Sequence, residues 1–133
     1  NLGANQAHGS ATAASTSDYL LAGGAAPGLL GGSYLFDGSS WASSVALANA
    51  RFVGNMLGTT TDANFNGGNR FDTDDSENWN GSTWSTGPTM QDNTSRYAPN
   101  NATNCGGTKG SAVLGGGTGT AIDTATNTIR HLD

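Results

Sequence analysis

The sharpest chemical feature of the chain is the run Asp72-Thr73-Asp74-Asp75-Ser76-Glu77-Asn78. Oxygen-bearing side chains alternate at Asp72, Asp74, Ser76 and Asn78, a spacing at which a loop can wrap a hard cation such as Ca²⁺. The run lacks the glycine and the distal glutamate of an EF-hand loop, so an exposed acidic loop without an ion is the alternative. Asp72 and Glu77 would also supply two carboxylates for glycoside hydrolysis, but nothing in the sequence sets the separation that this chemistry needs. No catalytic group, and no cofactor other than Ca²⁺, is expected.

The remaining reactive residue types are dispersed. Cys105 is the only cysteine, so no internal disulfide can form. A nucleophilic thiol would need a histidine beside it, and His8 and His131 lie near the two ends; Cys105 is expected to be a small packed residue. Three sequons occur, at Asn80, Asn93 and Asn101. Asn93 and Asn101 are the glycosylation candidates, because Asn80 falls inside a tight turn. No Walker loop, Rossmann fingerprint or zinc-ligand spacing is present. The basic residues are Arg51, Arg70, Arg96, Lys109 and Arg130, none adjacent to another, in a chain of net charge −5. That excludes nucleic-acid binding through a clustered basic surface and attraction to an anionic membrane.

Composition bounds the fold. Only 11% of the 133 residues are charged, against about a quarter in ordinary globular domains. With 21 glycines but only 3 prolines and few charges, the chain is not of the usual disordered type, and its spread aromatics allow a thin core. The chain starts at Asn1 without the basic n-region and apolar core of a signal peptide, so a soluble chain is expected, processed or excised from something longer. The longest apolar run, Tyr19-Leu20-Leu21-Ala22, is far too short to cross a bilayer, so membrane insertion is not expected.

The elements that must position these residues repeat. Phe36-Asp37-Gly38-Ser39-Ser40-Trp41 returns as Trp79-Asn80-Gly81-Ser82-Thr83-Trp84, with Trp41 and Trp84 43 residues apart. Glycine pairs close apolar segments at Gly23-Gly24, Gly67-Gly68 and Gly115-Gly116, 44 and 48 residues apart. Leu47 and then Arg51-Phe52 follow the first tryptophan; Met90 and then Arg96-Tyr97 follow the second. The marks keep one order at one period, which chance glycine pairs would not. The tail, 127–133, matches the approach to Asp37 and Asn80, and the head places Leu2 and His8 near the Leu47 and Phe52 positions.

Asp-Gly and Asn-Gly between apolar flanks predict hairpins with type I′ turns, pairing 33–36 with 40–44 and 76–79 with 83–86. Short runs of Thr, Val and aromatic residues favour strands. The stretch 43–53 comes nearest to a helical pattern, but its counterpart 86–97 contains Gly87-Pro88, which argues against a helix. An all-β chain with short strands and many turns is expected.

A glycine pair ending a strand, an aromatic-Asp-Gly hairpin, a tryptophan, Leu or Met and then Arg resembles the kelch repeat, in the Gly- and Asn-rich form seen in phage and bacterial surface proteins. The resemblance spans 15–133. It implies about three four-stranded antiparallel units, as propeller blades or a stacked β-repeat array. The expected organisation is a single repeat domain with a partial unit 1–33, units 34–76 and 77–126, and the start of a split unit at 127–133. The resemblance also implies that Gly23, Gly24, Gly38, Trp41, Arg51, Gly67, Gly68, Gly81, Trp84, Arg96, Gly115 and Gly116 are structural repeat positions. Sugar stacking by the tryptophans and anion binding by the arginines are the alternatives. Kelch-fold copper oxidases and propeller sialidases need ligand and arginine clusters that are missing here. The expected function is a non-enzymatic structural or adhesive protein of an extracellular assembly or virion, such as a phage tail or fibre. Its partners would be further copies or neighbouring blades, because three blades do not close a ring. The alternative is a lectin-like, glycan-binding propeller module, with or without calcium.

Overall fold

The computed structural model describes residues 7–68 and 76–88, together with the backbone of three later strands at 105–108, 111–115 and 129–132. Every regular element among the described residues is a β-strand. Four strands make the first sheet: β1 (Ser10–Ser15), β2 (Asp18–Ala22), β3 (Ser33–Phe36) and β4 (Trp41–Ser44). Four make the second: β5 (Asn55–Gly58), β6 (Ala63–Asn66), β7 (Ser76–Trp79) and β8 (Trp84–Thr86). The strands β9 (Cys105–Thr108), β10 (Ser111–Gly115) and β11 (Ile129–Leu132) form a three-stranded sheet. All neighbours are antiparallel, and strand order follows chain order in each sheet. The chain is therefore all-β and rich in short strands. The stretch 43–53 is the end of β4 followed by an irregular connection.

The hairpins form where the Asp-Gly and Asn-Gly steps lie, but with different turns. Phe36 pairs with Trp41 and Trp79 with Trp84, so the central residues are Gly38-Ser39 and Gly81-Ser82. The backbone N–H of Asp37 donates to Ser40 O, and that of Asn80 to Thr83 O, at 3.3 Å in both cases. Only the glycines carry positive φ, 93° at Gly38 and 92° at Gly81. A type I′ turn needs positive φ at both central residues, so these are not type I′ turns. The side chains of Asp37 and Asn80 close the hairpins in this register. Asp37 Oδ1 accepts the N–H groups of Ser39 (2.9 Å) and Ser40 (2.8 Å), and Asn80 Oδ1 accepts those of Ser82 (3.0 Å) and Thr83 (2.9 Å). Each side chain stands outside the turn and closes it, as in an Asx-turn.

The unit boundaries differ as well. The ladder from Tyr19↔Phe36 to Ala22↔Ser33 joins β2 to β3, so residues 10–44 form one complete sheet and the first unit is not split at 33/34. The break between the two complete sheets is the connection 45–54 rather than 76/77. The hairpin motif recurs inside the sheet, and a phase set on it cuts the sheet through its middle.

Pairing sorts the side chains onto two faces. In the first sheet Leu20, Ala22, Ser33 and Leu35 share one face. In the second, Phe65 and Glu77 share a face with Ala63, Trp79 and Trp84. These two faces pack together. Leu20, Ala22, Met56, Ala63, Phe65 and Trp79 form the core with Leu47 from the connection, and Leu35 and Trp84 close its rim. Hydroxyls stitch the inner strands: Thr12 Oγ1 donates to Gly58 O (2.6 Å), and Thr60 Oγ1 donates to Asp18 Oδ2 (2.8 Å). β1 lies alongside β5, and β5 alongside β9.

Both complete sheets end their second strand on a glycine pair in the left-handed region: Gly23 (φ 70°) and Gly24 (129°), then Gly67 (62°) and Gly68 (105°). A Cβ on Gly23 would sit 2.5 Å from Arg51 O. Gly23→Ala combines that clash with a φ that disfavours Cβ, a strain of about 1–3 kcal/mol before the clash is relieved. Its melting temperature should fall by at least about 4 °C in a thermal scan; an unchanged value would mean that the backbone relaxes freely there.

Candidate functional site

The densest polar arrangement lies between the two sheets, around Arg51. The guanidinium is fully buried and Glu77 is 2% exposed. Arg51 Nη2 donates to Glu77 Oε1 at 2.8 Å, Nη1 to Gly67 O at 3.2 Å, and Nε to Asn49 O at 3.2 Å. Its Cζ lies 5.7 Å from the centroid of the Phe65 ring. Glu77 also accepts the backbone N–H groups of Ala48 (2.8 Å, to Oε2) and Asn49 (3.1 Å, to Oε1). The Arg51 backbone accepts from Gly24 N (2.8 Å) and donates to Leu30 O (3.2 Å). One ion pair thus ties together the end of β2, the connection 45–54, the end of β6 and the middle of β7. A charge pair this enclosed and saturated with backbone partners organises structure and leaves no open face for a ligand.

A second pair of contacts repeats at the sheet period. Ser33 Oγ donates to Val45 O and Ser76 Oγ donates to Pro88 O, each at 2.6 Å across 12 residues of chain. Ser33 and Ser76 are 43 residues apart, as are Trp41 and Trp84, and both serines are buried. Each pins the outer strand's exit back to the start of the third strand. This spacing was present in the sequence and marks a repeat position alongside the tryptophans.

The alternating oxygen run is described only from Ser76 onward. Asp72 and Asp74 lie outside the described residues. Ser76 and Asn78 belong to strand β7 rather than to a loop. Ser76 is committed to Pro88 O, and Asn78 Oδ1 accepts Asn64 Nδ2 at 2.9 Å. Glu77 points to the other face, onto Arg51. Ser76 and Asn78 thus share one face of β7 and are both engaged within the second sheet. Among the described residues no three His, Cys, Asp or Glu side chains gather as a metal site.

Among the expected repeat positions, Arg51 occupies the junction, and Gly23, Gly24, Gly67 and Gly68 end strands beside it. Gly38 and Gly81 form the hairpin turns, and Gly115 ends β10. Gly116 and Arg96, with the sequons Asn93 and Asn101, lie outside the described residues. Trp84 is half-buried at the core rim, its Nε1 3.5 Å from Ser33 Oγ. Trp41 is half-buried against Phe36, with centroids 5.1 Å apart. The fully buried tryptophan is Trp79, whose Nε1 donates to Thr60 O at 2.8 Å. It faces Trp84 across the hairpin at 5.2 Å, as Phe36 faces Trp41.

Two further groups stand out. Asp37 is fully exposed, yet the N–H groups of Ser40 and Ser39 and the Ser39 hydroxyl hold its carboxyl at about 2, below the ordinary 3.8. A lowered folded-state value stabilises above the ordinary value and is lost as the pH falls towards 2. Opening of the first hairpin should therefore increase between about pH 4 and pH 2. Asp37→Asn, which copies Asn80, should remove that dependence, as amide exchange of Ser39 and Ser40 would report. Asn66 is fully buried on the far face of the second sheet, and neither atom of its amide has a hydrogen-bond partner among the described residues. Neighbouring Asn55, Asn64 and Ser76 are buried too, so that face is polar but enclosed.

No protein-family model and no curated protein matches this sequence.

Proposed function

We propose that this chain is a non-enzymatic structural β-repeat protein of an extracellular or virion assembly, such as a tail, fibre or surface filament. Its sheets would stand as propeller-like, kelch-like blades, the third completed from β9–β11, with self-association or neighbouring blades closing the array. The observation that carries this reading is the use of the polar side chains at the sheet junction, the strand starts and the hairpin turns. Arg51, Glu77, Ser33, Ser76, Asp37 and Asn80 all hold backbone groups of the fold itself. The low charge and the Gly-, Asn- and Ser-rich composition suit a durable β assembly.

A lectin-like reading draws on the half-buried rings of Tyr19, Phe36 and Trp41, since aromatic faces stack on sugars. Native mass measured beside denatured chain mass, together with a glycan array, separates the two. A stable multimer of the 13.3 kDa chain without ligand supports the structural role. A monomer that binds glycans, more weakly after chelation if Ca²⁺ takes part, supports the lectin.

A further inference from the structure

Two asparagine–glycine steps occur in the chain, Asn66-Gly67 and Asn80-Gly81, and the fold treats them in opposite ways. Asparagine is thermolabile at such a step, because a following glycine leaves its own nitrogen free to reach the side-chain carbonyl carbon. Asn66 is fully buried and ladder-paired on both sides, to Asn55 and to Ser76. The Gly67 carbonyl is held by Arg51 Nη1. That backbone cannot turn, nor water reach it, unless the sheet opens. Asn80 is exposed, in the turn after β7. Its Oδ1 accepts four donors: the N–H groups of Ser82 (3.0 Å) and Thr83 (2.9 Å) and the hydroxyls of Ser82 (2.9 Å) and Thr83 (3.4 Å). The bend that brings Oδ1 to those groups folds the side chain forward over the Asn80–Gly81 peptide. Donors on a carbonyl oxygen draw charge from its carbon and stabilise the oxyanion that forms on attack. Among the described residues the Gly81 N–H has no acceptor, so no bond need break before it attacks.

We propose that Asn80-Gly81 is a site of spontaneous covalent modification, at which the asparagine converts through a cyclic imide to aspartate or its β-linked isomer. The Gly81 nitrogen gives its proton to a solvent base and bonds to Asn80 Cγ. The Cγ–Nδ2 bond breaks, and ammonia leaves with a proton taken from solvent. Water then opens the imide. Cleavage of the new N–Cγ bond leaves aspartate; cleavage of the original peptide bond leaves the main chain running through Cγ. The first sheet shows that the aspartate product fits. At the same turn position it carries Asp37, whose Oδ1 accepts the Ser39 N–H (2.9 Å), the Ser40 N–H (2.8 Å) and the Ser39 hydroxyl (2.8 Å). A carboxylate takes such donors as charge-assisted hydrogen bonds, so aspartate at position 80 strengthens a set already in place. Asp37-Gly38 is the form at which the reaction stops. The N–H groups of Ser40 and Ser39 and the Ser39 hydroxyl keep its carboxyl ionised at neutral pH, and a carboxylate is a poor electrophile.

The full chain is incubated in mildly alkaline buffer, once folded and once unfolded in urea, and digests are followed by mass spectrometry over time. A converted peptide is about 1 Da heavier, and the β-linked form separates from aspartate on chromatography. The expected result is conversion at Asn80 at least about 100-fold faster than at Asn66 in the folded chain, and within about 3-fold of it in urea. Ser82→Ala removes one donor from Oδ1 at an exposed position. It should slow Asn80 by about 3-fold or more in the folded chain and leave the rate in urea unchanged. Asn80→Asp, the product, should unfold at a urea midpoint no lower than that of wild type. Conversion at Asn80 no faster than at Asn66 in the folded chain overturns the proposal. So does an Asn80 rate that rises about 10-fold or more on unfolding, because the hairpin would then protect the residue. A folded-state rate that Ser82→Ala leaves unchanged overturns the activation by the Oδ1 donors.

Discussion

Glu77→Ala should lower the stability of the fold by about 3–5 kcal/mol, more than a surface carboxylate normally contributes. The substitution removes the Glu77 carboxylate that the fully buried Arg51 guanidinium is paired with. It also removes the acceptor for the N–H groups of Ala48 and Asn49. In urea the midpoint should fall by more than about 1 M, since slopes for small domains run at about 1–3 kcal/mol per M. Arg51→Met with Glu77→Leu should recover much of the loss, because a buried ion pair replaced by apolar residues of similar size is often neutral. A single variant whose midpoint stays within about 0.5 M of wild type would show that Arg51 finds another anionic partner. The junction would then not be the lock between the sheets.

Trp79→Ala should cost about 3–5 kcal/mol by the cavity it opens. Trp79 is fully buried within the cluster that also holds Phe65, Met56 and Leu20, and its loss strands the Thr60 carbonyl. Trp79→Phe, which copies the first sheet at Phe36, keeps most of the packing and should cost roughly half as much. Phe36→Ala is the informative contrast. Phe36 holds the equivalent position but is half-buried, so the loss should be well below that of Trp79→Ala in the isolated chain. The thermal unfolding of the three variants measures this ranking. Equal losses at 36 and 79 would mean that the first sheet's aromatic face is already covered as well as the second's.

Strand content and hairpin placement were legible in the sequence because they depend on local chemistry. Gly-Gly pairs can turn the backbone where other residues cannot, and Asp-Gly or Asn-Gly between apolar flanks marks a reversal wherever it lies. The turn type was less legible. Whether Asp37 sits inside the turn or closes it from outside depends on which register the flanking strands take, and the Phe36↔Trp41 pairing sets that. The unit boundary failed for a related reason. A period found in sequence carries no phase, and only the β2–β3 ladder shows that 10–22 belongs with 33–44.

The candidate site divides along the same line. The sequence by itself determined an all-β chain, the period of its repeat, and Arg51, Trp41 and Trp84 as recurring positions, because like residues at one spacing need no partner to be recognised. The tertiary structure alone decided that Glu77 faces Arg51. Its counterpart in the first sheet is Tyr34, so no repeated mark announces it. It alone decided that Ser76 and Asn78 lie in strand β7, bonded to Pro88 O and Asn64 Nδ2. Asparagine is depleted in strands, yet Asn55, Asn64 and Asn66 lie buried in strands β5 and β6. Burial and ion pairing depend on which faces meet across 26 to 51 residues of chain, as at Arg51–Glu77 and Trp84–Ser33. Side-chain alternation says only that a strand has two faces; packing of one sheet on the next assigns them.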